Sequence, residues 1–351
     1  MIFLIMSNHD LLSSLADEEI LVTGGCGFIG SEVTKQLSQL GAKVTVLDNL
    51  SSGKEAYLND MKNVNLIKGD IVDKNLIDSI IENKTYVVNL AALPFIPDSF
   101  NFPMKFFDVN VNATITLALA AIKTKKIKRF VHISSSEIYG SARISPMDEN
   151  HPTLPQSTYA VSKLAGERVV FTMHKEHNLP AVIIRPFNSF GPNITQPYII
   201  PEIINQLIAG NDEISLGNIH SKRDLTFVSD TARAIILSLV TEGIDGETIN
   251  VGSEHSIAIK NIVKMIAEIM NRNVTIKIDS SRFRPHDVET LVCDYGKASR
   301  LLDWKPEIKI QKGLEMTVKW AQENGVHLKS PFKSWPSTYR NNFKNESEIH
   351  D

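Results

Sequence analysis

Cysteine is nearly absent from this sequence, which has only Cys26 and Cys293 among its 351 residues. A secreted disulfide framework needs more cysteines, so the low count favours a reducing compartment. No uninterrupted apolar run reaches 18 residues, and the apolar stretch 1–6 is too short for a membrane span or a signal-peptide core. The sequence therefore predicts a cytoplasmic protein that does not contact a membrane.

An excess of basic charge is also missing. The chain has 37 lysines and arginines against 40 aspartates and glutamates, for a formal net charge of −3. This balance does not fit a nucleic-acid-binding surface, which needs clustered positive charge. The ten histidines show no metal-ligand spacing with cysteines or carboxylates, so no metal site is predicted.

Short apolar runs rich in β-forming residues alternate with helical patterns up to about residue 187. Such alternation is typical of an α/β fold, here a doubly wound parallel sheet of the Rossmann type. The predicted strands are Ile20–Thr23, Lys43–Leu47, Val64–Lys68, Tyr86–Leu90, Arg129–Ile133 and Ala181–Arg185, and the predicted helices lie near 28–40, 73–82, 103–123 and 156–177.

Beyond residue 187 the pattern predicts a smaller mixed α/β substrate domain. Its expected helices lie near 198–209, 229–241, 258–271 and 310–323, and its expected strands near 225–228, 247–251 and 274–278. We predict a first domain over 1–187, of which 1–17 is an extension, a second over 188–329 and a polar tail over 330–351. The strand and helix between 224 and 251 could belong to either domain.

Three glycines spaced by three residues follow the first predicted strand. Gly24 permits a tight turn, Gly27 lets the backbone approach a pyrophosphate, and Gly30 allows close helix–strand packing. The helix that begins at Phe28 and Ile29 then presents free N–H groups to phosphate. This motif predicts a dinucleotide site.

The second and third strands end on acidic residues, as expected for a site that binds an adenosine. Asp48, 24 residues after Gly24 and followed by Asn49, can accept hydrogen bonds from ribose hydroxyls and would repel a 2′-phosphate. Asp70 and Ile71 are placed to flank the adenine. We therefore predict NAD as the cofactor rather than NADP.

Tyr159 and Lys163 are four residues apart on a predicted helix, so both project from one face. An ammonium beside a phenol stabilises the phenolate and lowers the tyrosine pKa, which would make Tyr159 a base. Upstream, Ser135 follows the fifth strand, where its hydroxyl can reach a substrate oxygen. The pair, the serine and the glycine turn together predict an oxidoreductase-type active site.

With these motifs the chain resembles the extended short-chain dehydrogenase/reductase superfamily, in its nucleotide-sugar epimerase/dehydratase branch, over about residues 18–325. The resemblance rests on ordered motifs: TGGCGFIG, NLAA at 89–92, SSSEIYG, YAVSK, RPFNSFGP, KRDLTFVSD and RPHDVETLVCDYGKASRLLDWKP. It implies a cofactor site that also includes Leu90, Ala91, Ala92 and Pro186, and a homodimer formed through a four-helix bundle of helices 103–123 and 156–177.

The resemblance also implies roles in catalysis. Tyr159 would take the proton of the sugar 4-hydroxyl, Ser135 would hydrogen-bond that hydroxyl, and Lys163 would hold the nicotinamide ribose. Asn188, Arg223 and Arg284 would contact the diphosphate of a nucleotide sugar, a task that suits arginine.

Glu137 decides the subclass within this resemblance, because 4,6-dehydratases use a glutamate there to remove the C5 proton and 4-epimerases need none. Many glucose-nucleotide dehydratases have an aspartate beside it as general acid, where this chain has Ser136. The serine would then relay a proton, or the reaction would be different, since UDP-glucuronate decarboxylases also carry a Ser-Glu pair.

Several downstream stretches favour the dehydratase. DENHP at 148–152, RPFN at 185–188, LGN at 216–218 and RFRP at 282–285 are similar to UDP-N-acetylglucosamine 4,6-dehydratases of nonulosonate pathways. We predict that activity, with UDP-glucuronate decarboxylase, UDP-sugar 4-epimerase and a non-catalytic NAD-binding regulator as alternatives.

Overall fold

A computed structural model describes residues 8–283 and 288–326. Its centre is a seven-stranded sheet in the order β3-β2-β1-β4-β5-β6-β10, in which all neighbouring strands are parallel. The strands are β1 Glu19–Thr23, β2 Lys43–Asp48, β3 Val64–Lys68, β4 Tyr86–Asn89, β5 Arg129–Ile133, β6 Ala181–Pro186 and β10 Thr248–Val251.

Helices cover both faces of this sheet, which explains why its strands are apolar on both sides. The helices near the sheet are α1 Asn8–Ser13, α2 Phe28–Gln39, α3 Lys74–Ile80, α4 Ile96–Asn101, α5 Pro103–Phe107, α6 Ala113–Thr124, α7 Thr158–His177, α9 Val228–Val240 and α11 Gly296–Leu302. One apolar core lies between the sheet and α2 and α9, and a second between the sheet and α3, α6 and α7.

The prediction of a doubly wound parallel sheet is confirmed. All six strands predicted before residue 187 are present, each within one residue of its expected ends. Local sequence signals also determine both ends of α7. The Ser157 hydroxyl accepts from the Ala160 N–H at 3.1 Å at the start, and Asn178 ends the helix with φ of 55°.

The chain returns to the first sheet after residue 188. Strand β10 pairs with β6, and α9 packs against α2 on the face of the sheet. From the stretch whose domain was open from sequence, α9 and β10 therefore lie on the Rossmann sheet, whereas the strand Lys222–Phe227 pairs outside it. The domain limits at 187 and 329 stay predictions. The polar tail over 330–351 lies outside the described residues.

The remaining elements form a smaller layer beside the carboxyl ends of the sheet. Strand β9 pairs in parallel with β7 and antiparallel with β11, and β8 pairs with β12. They are β7 Asn188–Phe190, β8 Glu213–Leu216, β9 Lys222–Phe227, β11 Ser256–Ala258, β12 Thr275–Ile278, α8 Ile199–Ile208, α10 Ile259–Ile269 and α12 Ile310–Asn324. The sequence prediction missed β7, β8, β11, α1, α4 and α11, because elements of three to seven residues show little periodicity.

The helix predicted over 103–123 is interrupted by a π-helical turn, Asp108–Asn112. Helix α7 packs so closely against this turn that a Cβ on Gly166 would lie 2.6 Å from the Asn110 carbonyl oxygen. The Asn110 amide also donates to the Ser162 hydroxyl at 2.9 Å and its side-chain oxygen accepts from the Leu93 N–H at 2.9 Å. The turn thus joins the loop after β4 to α7.

By length and composition, the same helical stretch, Pro103–Thr124, is long and apolar enough to cross a membrane. The length of uninterrupted apolar runs in the sequence did not reveal this. About 44% of its most apolar window is buried inside the protein. The cytoplasmic location and the absence of membrane contact stay predictions.

Candidate active site

A cleft of about 390 Å³ opens at the carboxyl ends of the parallel strands, between the sheet and the smaller layer. Every predicted site residue within the described part of the chain lines it: Gly24, Gly27, Phe28, Ile29, Gly30, Asp48, Asn49, Asp70, Ile71, Leu90, Ala91, Ala92, Ser135, Ser136, Glu137, Tyr159, Lys163, Pro186, Asn188 and Arg223. Arg284 lies outside the described residues. The fold therefore brings together groups that are up to 199 positions apart.

The glycine turn leaves no room for side chains. A Cβ on Gly30 would stand 2.1 Å from the Gly24 carbonyl oxygen. Gly27 caps the N-terminus of α2 and supplies no side-chain hydrogen bond to it. The first N–H groups of this 12-residue helix are therefore available to an anionic ligand at the cleft, and the positive end of the helix dipole favours one.

Replacing Gly30 with alanine is expected to cost about 1–3 kcal/mol in the free energy of unfolding, because the methyl group meets backbone atoms that cannot rotate away. Thermal denaturation would measure the loss. Gly27→Ala is the matched control, since its Cβ would be 3.2 Å from the same carbonyl oxygen and should destabilise the fold less. Equal melting temperatures for the two variants would contradict this account of the turn.

Asp48 is held beside the glycine turn by backbone groups. Its carboxylate oxygens accept from the Cys26 N–H at 2.9 Å and the Leu50 N–H at 2.8 Å. Asn49 donates to Asp70 at 2.9 Å across the ends of β2 and β3. The two carboxylates therefore lie along one edge of the cleft, where an adenosine could meet them.

Helix α7 brings Tyr159 and Lys163 to the opposite part of the cleft. The Tyr159 phenol is hydrogen-bonded to the Ser135 side chain, and its ring packs edge-on against Phe106 with centroids 6.4 Å apart. The Lys163 ammonium donates to the Ile133 carbonyl oxygen at 2.5 Å. The predicted tyrosine, lysine and serine therefore meet at the end of β5.

The pKa of Tyr159 differs from the sequence expectation. Burial raises it to about 12, the hydrogen bond from Ser135 lowers it, and the charge of Glu137 raises it again. The expected decrease caused by Lys163 is therefore wrong for the protein alone. Burial also lowers the pKa of Lys163 to about 8, against the opposing effect of the Glu167 carboxylate.

The serine loop after β5 forms a short 3₁₀ helix, Ser136–Tyr139, which places Glu137 at the cleft. The Ser135 hydroxyl accepts from the Glu137 N–H at 3.2 Å and so caps this turn. Because Glu137 acts electrostatically on Tyr159, the carboxylate and the phenol face the same space. Ser136 lines the cleft as well and is buried.

The smaller layer contributes the other wall. Asn188 lies there with its side-chain oxygen buried and unpartnered, and Arg223 is 8% exposed and donates to the Lys222 carbonyl oxygen. Sequence analysis missed an ion pair in this wall, in which Arg282 donates to Glu202 at 2.7 Å. The RFRP stretch contains Arg282, but no motif included Glu202 or paired the two residues, which are 80 positions apart.

A family model described as GDP-mannose 4,6 dehydratase matches residues 21–317. The chain belongs to the GDP-mannose 4,6-dehydratase family. A dTDP-glucose 4,6-dehydratase of Streptomyces niveus is 32% identical over 329 residues, covering 89% of this chain and 96% of the relative. A UDP-N-acetyl-α-D-glucosaminuronate decarboxylase of Bacillus cytotoxicus is 29% identical over 317 residues, covering 86% and 97%.

Solved structures of related enzymes have the same fold. An epimerase of Methanothermobacter thermautotrophicus has a TM-score of 0.85 at 30% identity, covering 90% of this chain and 96% of that one. A UDP-N-acetylglucosamine 4-epimerase of Methanobrevibacter ruminantium, in complex with UDP-N-acetylmuramic acid, has a TM-score of 0.81 at 32% identity, covering 88% and 99%. A dTDP-glucose 4,6-dehydratase of Streptomyces venezuelae with bound NAD has 0.80 at 29%, covering 87% and 97%.

These similarities identify the protein as an enzyme of a family whose members include dehydratases, decarboxylases and epimerases of nucleotide sugars. They confirm the resemblance at the level of this family.

Proposed function

We propose that this family member is an NAD-dependent nucleotide-sugar 4,6-dehydratase that acts on UDP-N-acetylglucosamine. The observation that carries the proposal is the position of Glu137, which shares the cleft with Tyr159 and acts electrostatically on it. A carboxylate at this place can remove a proton from a carbon next to the one at which the phenol works. A 4-epimerase has no use for such a base.

The glycine turn and the acidic strand ends fit NAD. The open N–H groups at the start of α2 would bind the pyrophosphate, and Asp48 would accept from the adenosine ribose. Lys163 would hold the nicotinamide ribose. The neighbour from Streptomyces venezuelae, which is solved with NAD, supports this choice. When bound, NAD would supply the acceptor and donor of the hydride and a positively charged nicotinamide.

Tyr159 would act as the base for the sugar 4-hydroxyl. With a pKa raised to about 12, the phenol is protonated near pH 7, and nearby positive charge would bring the pKa down. Ser135, already hydrogen-bonded to the phenol, would orient the same hydroxyl. The resulting 4-ketone acidifies the C5 hydrogen, so Glu137 can then remove it.

Loss of the 6-hydroxyl needs a proton, which Ser136 is too weak an acid to supply by itself. Glu137 has just received a proton from C5, so it can return that proton to the leaving hydroxyl, directly or through Ser136. This elimination leaves a C5–C6 double bond beside the 4-ketone. Return of the hydride to C6 and of a solvent proton to C5 would then give the 4-keto-6-deoxy sugar. Asn188 and Arg223 would hold the diphosphate, and Arg284 has the same proposed role.

The test is the mass of the product formed in deuterated water, without added reductant. The purified protein would be incubated separately with UDP-N-acetylglucosamine, UDP-glucose, dTDP-glucose and UDP-glucuronate. We expect UDP-N-acetylglucosamine to lose 18 Da, offset by one deuterium at C5. Loss of 44 Da from UDP-glucuronate alone, before allowing for solvent deuterium, would establish a decarboxylase instead.

Two other outcomes would contradict the proposal. A new isomer of unchanged mass would establish an epimerase, the activity of two of the structural neighbours. Retained biological activity in a Tyr159→Phe variant, without turnover of any sugar, would favour the NAD-binding regulator.

The homodimer is part of the same proposal. Helices α5, α6 and α7 carry exposed apolar side chains, with Met104 72%, Leu119 47% and Val161 40% exposed. A second copy could cover them in a four-helix bundle. Analytical ultracentrifugation should then give a dimer for the protein and a monomer for a Leu119→Asp/Val161→Asp variant, and a monomer for the unchanged protein would contradict the bundle.

A further inference from the structure

A buried ion pair lies directly behind the active-site lysine. Glu167 is four residues after Lys163 on α7, so it lies on the same face one turn further along. Arg185 on β6 donates to both of its carboxylate oxygens, at 2.6 Å and 2.9 Å. Glu167 is fully buried and Arg185 is 4% exposed, so water screens this pair little.

The same arginine also reaches the serine loop. Its guanidinium donates to the Tyr139 hydroxyl at 2.6 Å, and that hydroxyl donates to Asn250 on β10 at 2.7 Å. Tyr139 is two residues after Glu137. One buried cation therefore connects the helix that bears Tyr159 and Lys163 to the loop that bears Ser135 and Glu137.

We infer that Glu167, anchored by Arg185, is a positioning residue that keeps Lys163 cationic, and thereby keeps NAD bound, at alkaline pH. A buried ammonium that donates to a neutral carbonyl oxygen would lose its proton easily without a negative charge nearby. The inference rests on the proposed NAD site. It goes beyond that site, because Glu167 contacts neither the cofactor nor the sugar.

Among the charged and titratable groups described around Lys163, Glu167 is the anion on the same face of α7. Burial and the Lys163 charge lower the pKa of His132, so this imidazole is neutral. Glu137 acts on Tyr159, on the cleft side. The groups next to Lys163 or to its partners are Tyr159 and Glu167 on α7, His132 on β5, Glu137 in the serine loop and Arg185 on β6.

The sign of the effect follows from the protonation states. The ammonium exists below the pKa of Lys163, so NAD affinity should decrease as the pH rises through that pKa, which is about 8 in the protein alone. Neutralising Glu167 removes the influence that raises this pKa. The decrease in affinity should then begin at lower pH, by about one pH unit.

The experiment is isothermal titration calorimetry with NAD between pH 6 and pH 10. For Glu167→Gln we expect the midpoint of the affinity loss about one pH unit lower than in the unchanged protein. Binding should then be about threefold weaker midway between the two midpoints and approach about tenfold weaker above the higher one. Glu167→Asp keeps the charge, so its midpoint should lie close to that of the unchanged protein. Tyr139→Phe is the matched control: it removes a hydrogen bond to Arg185 but no charge, and should leave the midpoint unchanged.

Folding and function are kept separate in this test. If Glu167→Gln fails to fold because Arg185 is left unpaired, the Glu167→Gln/Arg185→Gln variant avoids the unpaired charge and should show the same direction of shift. An unchanged midpoint in either folded variant, or an equal shift in Tyr139→Phe, would overturn the inference. A protein that shows the expected shift but dehydrates no sugar would overturn only the proposed 4,6-dehydratase activity.

Discussion

Replacing Tyr159 with phenylalanine is expected to lower kcat for the formation of the 4-keto-6-deoxy sugar by about 10³-fold. The variant loses the phenol oxygen that we propose takes the proton of the 4-hydroxyl, and general-base catalysis is worth about 10² to 10⁴ in rate. The ring and its edge-on contact with Phe106 remain, so the fold should be unaffected. Product formation followed by mass spectrometry would measure the loss.

Tyr295→Phe is the matched control for this prediction. Tyr295 packs edge-on against Trp304, outside the residues that line the cleft, and its variant loses the same hydroxyl group. Its kcat should stay within about twofold, because no reacting atom is near it. If Tyr159→Phe retained more than a tenth of the activity, another group would have to be the base.

Replacing Glu137 with glutamine is expected to lower the rate of dehydration by about 10² to 10⁴-fold and to leave oxidation at C4 intact. The amide has almost the shape of the carboxylate but cannot take the C5 proton. With UDP-N-acetylglucosamine, the variant should therefore accumulate the oxidised sugar and reduced cofactor, seen as absorbance of the bound dinucleotide in a single turnover. Deuterium uptake at C5 should disappear together with the loss of 18 Da.

This second result separates dehydratase from epimerase. An epimerase depends on Tyr159 but not on a base at position 137, so Glu137→Gln would then leave kcat almost unchanged. Glu242→Gln is the matched control, since Glu242 is exposed and does not line the cleft.

Ser136→Ala tests the proton relay: a small effect means that Glu137 returns the proton by itself, and a loss comparable to that of Glu137→Gln means that the serine takes part.

Part of this protein could be derived from the sequence because the signals were local. Apolar runs bounded by turns predicted six parallel strands, since strands covered on both faces must be apolar throughout. The spacing of Gly24, Gly27 and Gly30 predicted the turn at the start of α2, and the four-residue separation of Tyr159 and Lys163 predicted a shared helix face. These inferences use only chain geometry over a few residues.

The sequence by itself determined the fold class, the family and the residues at the carboxyl ends of the strands, because parallel strands bring those ends to one edge whatever surrounds them. Only the tertiary structure decided the pKa values and the ion pairs of these groups. The rise in the pKa of Tyr159 comes from burial by distant segments, and the pairing of Glu167 with Arg185 joins residues on α7 and β6. Desolvation and ion pairing depend on which surfaces meet after folding, and no short stretch of sequence contains that information.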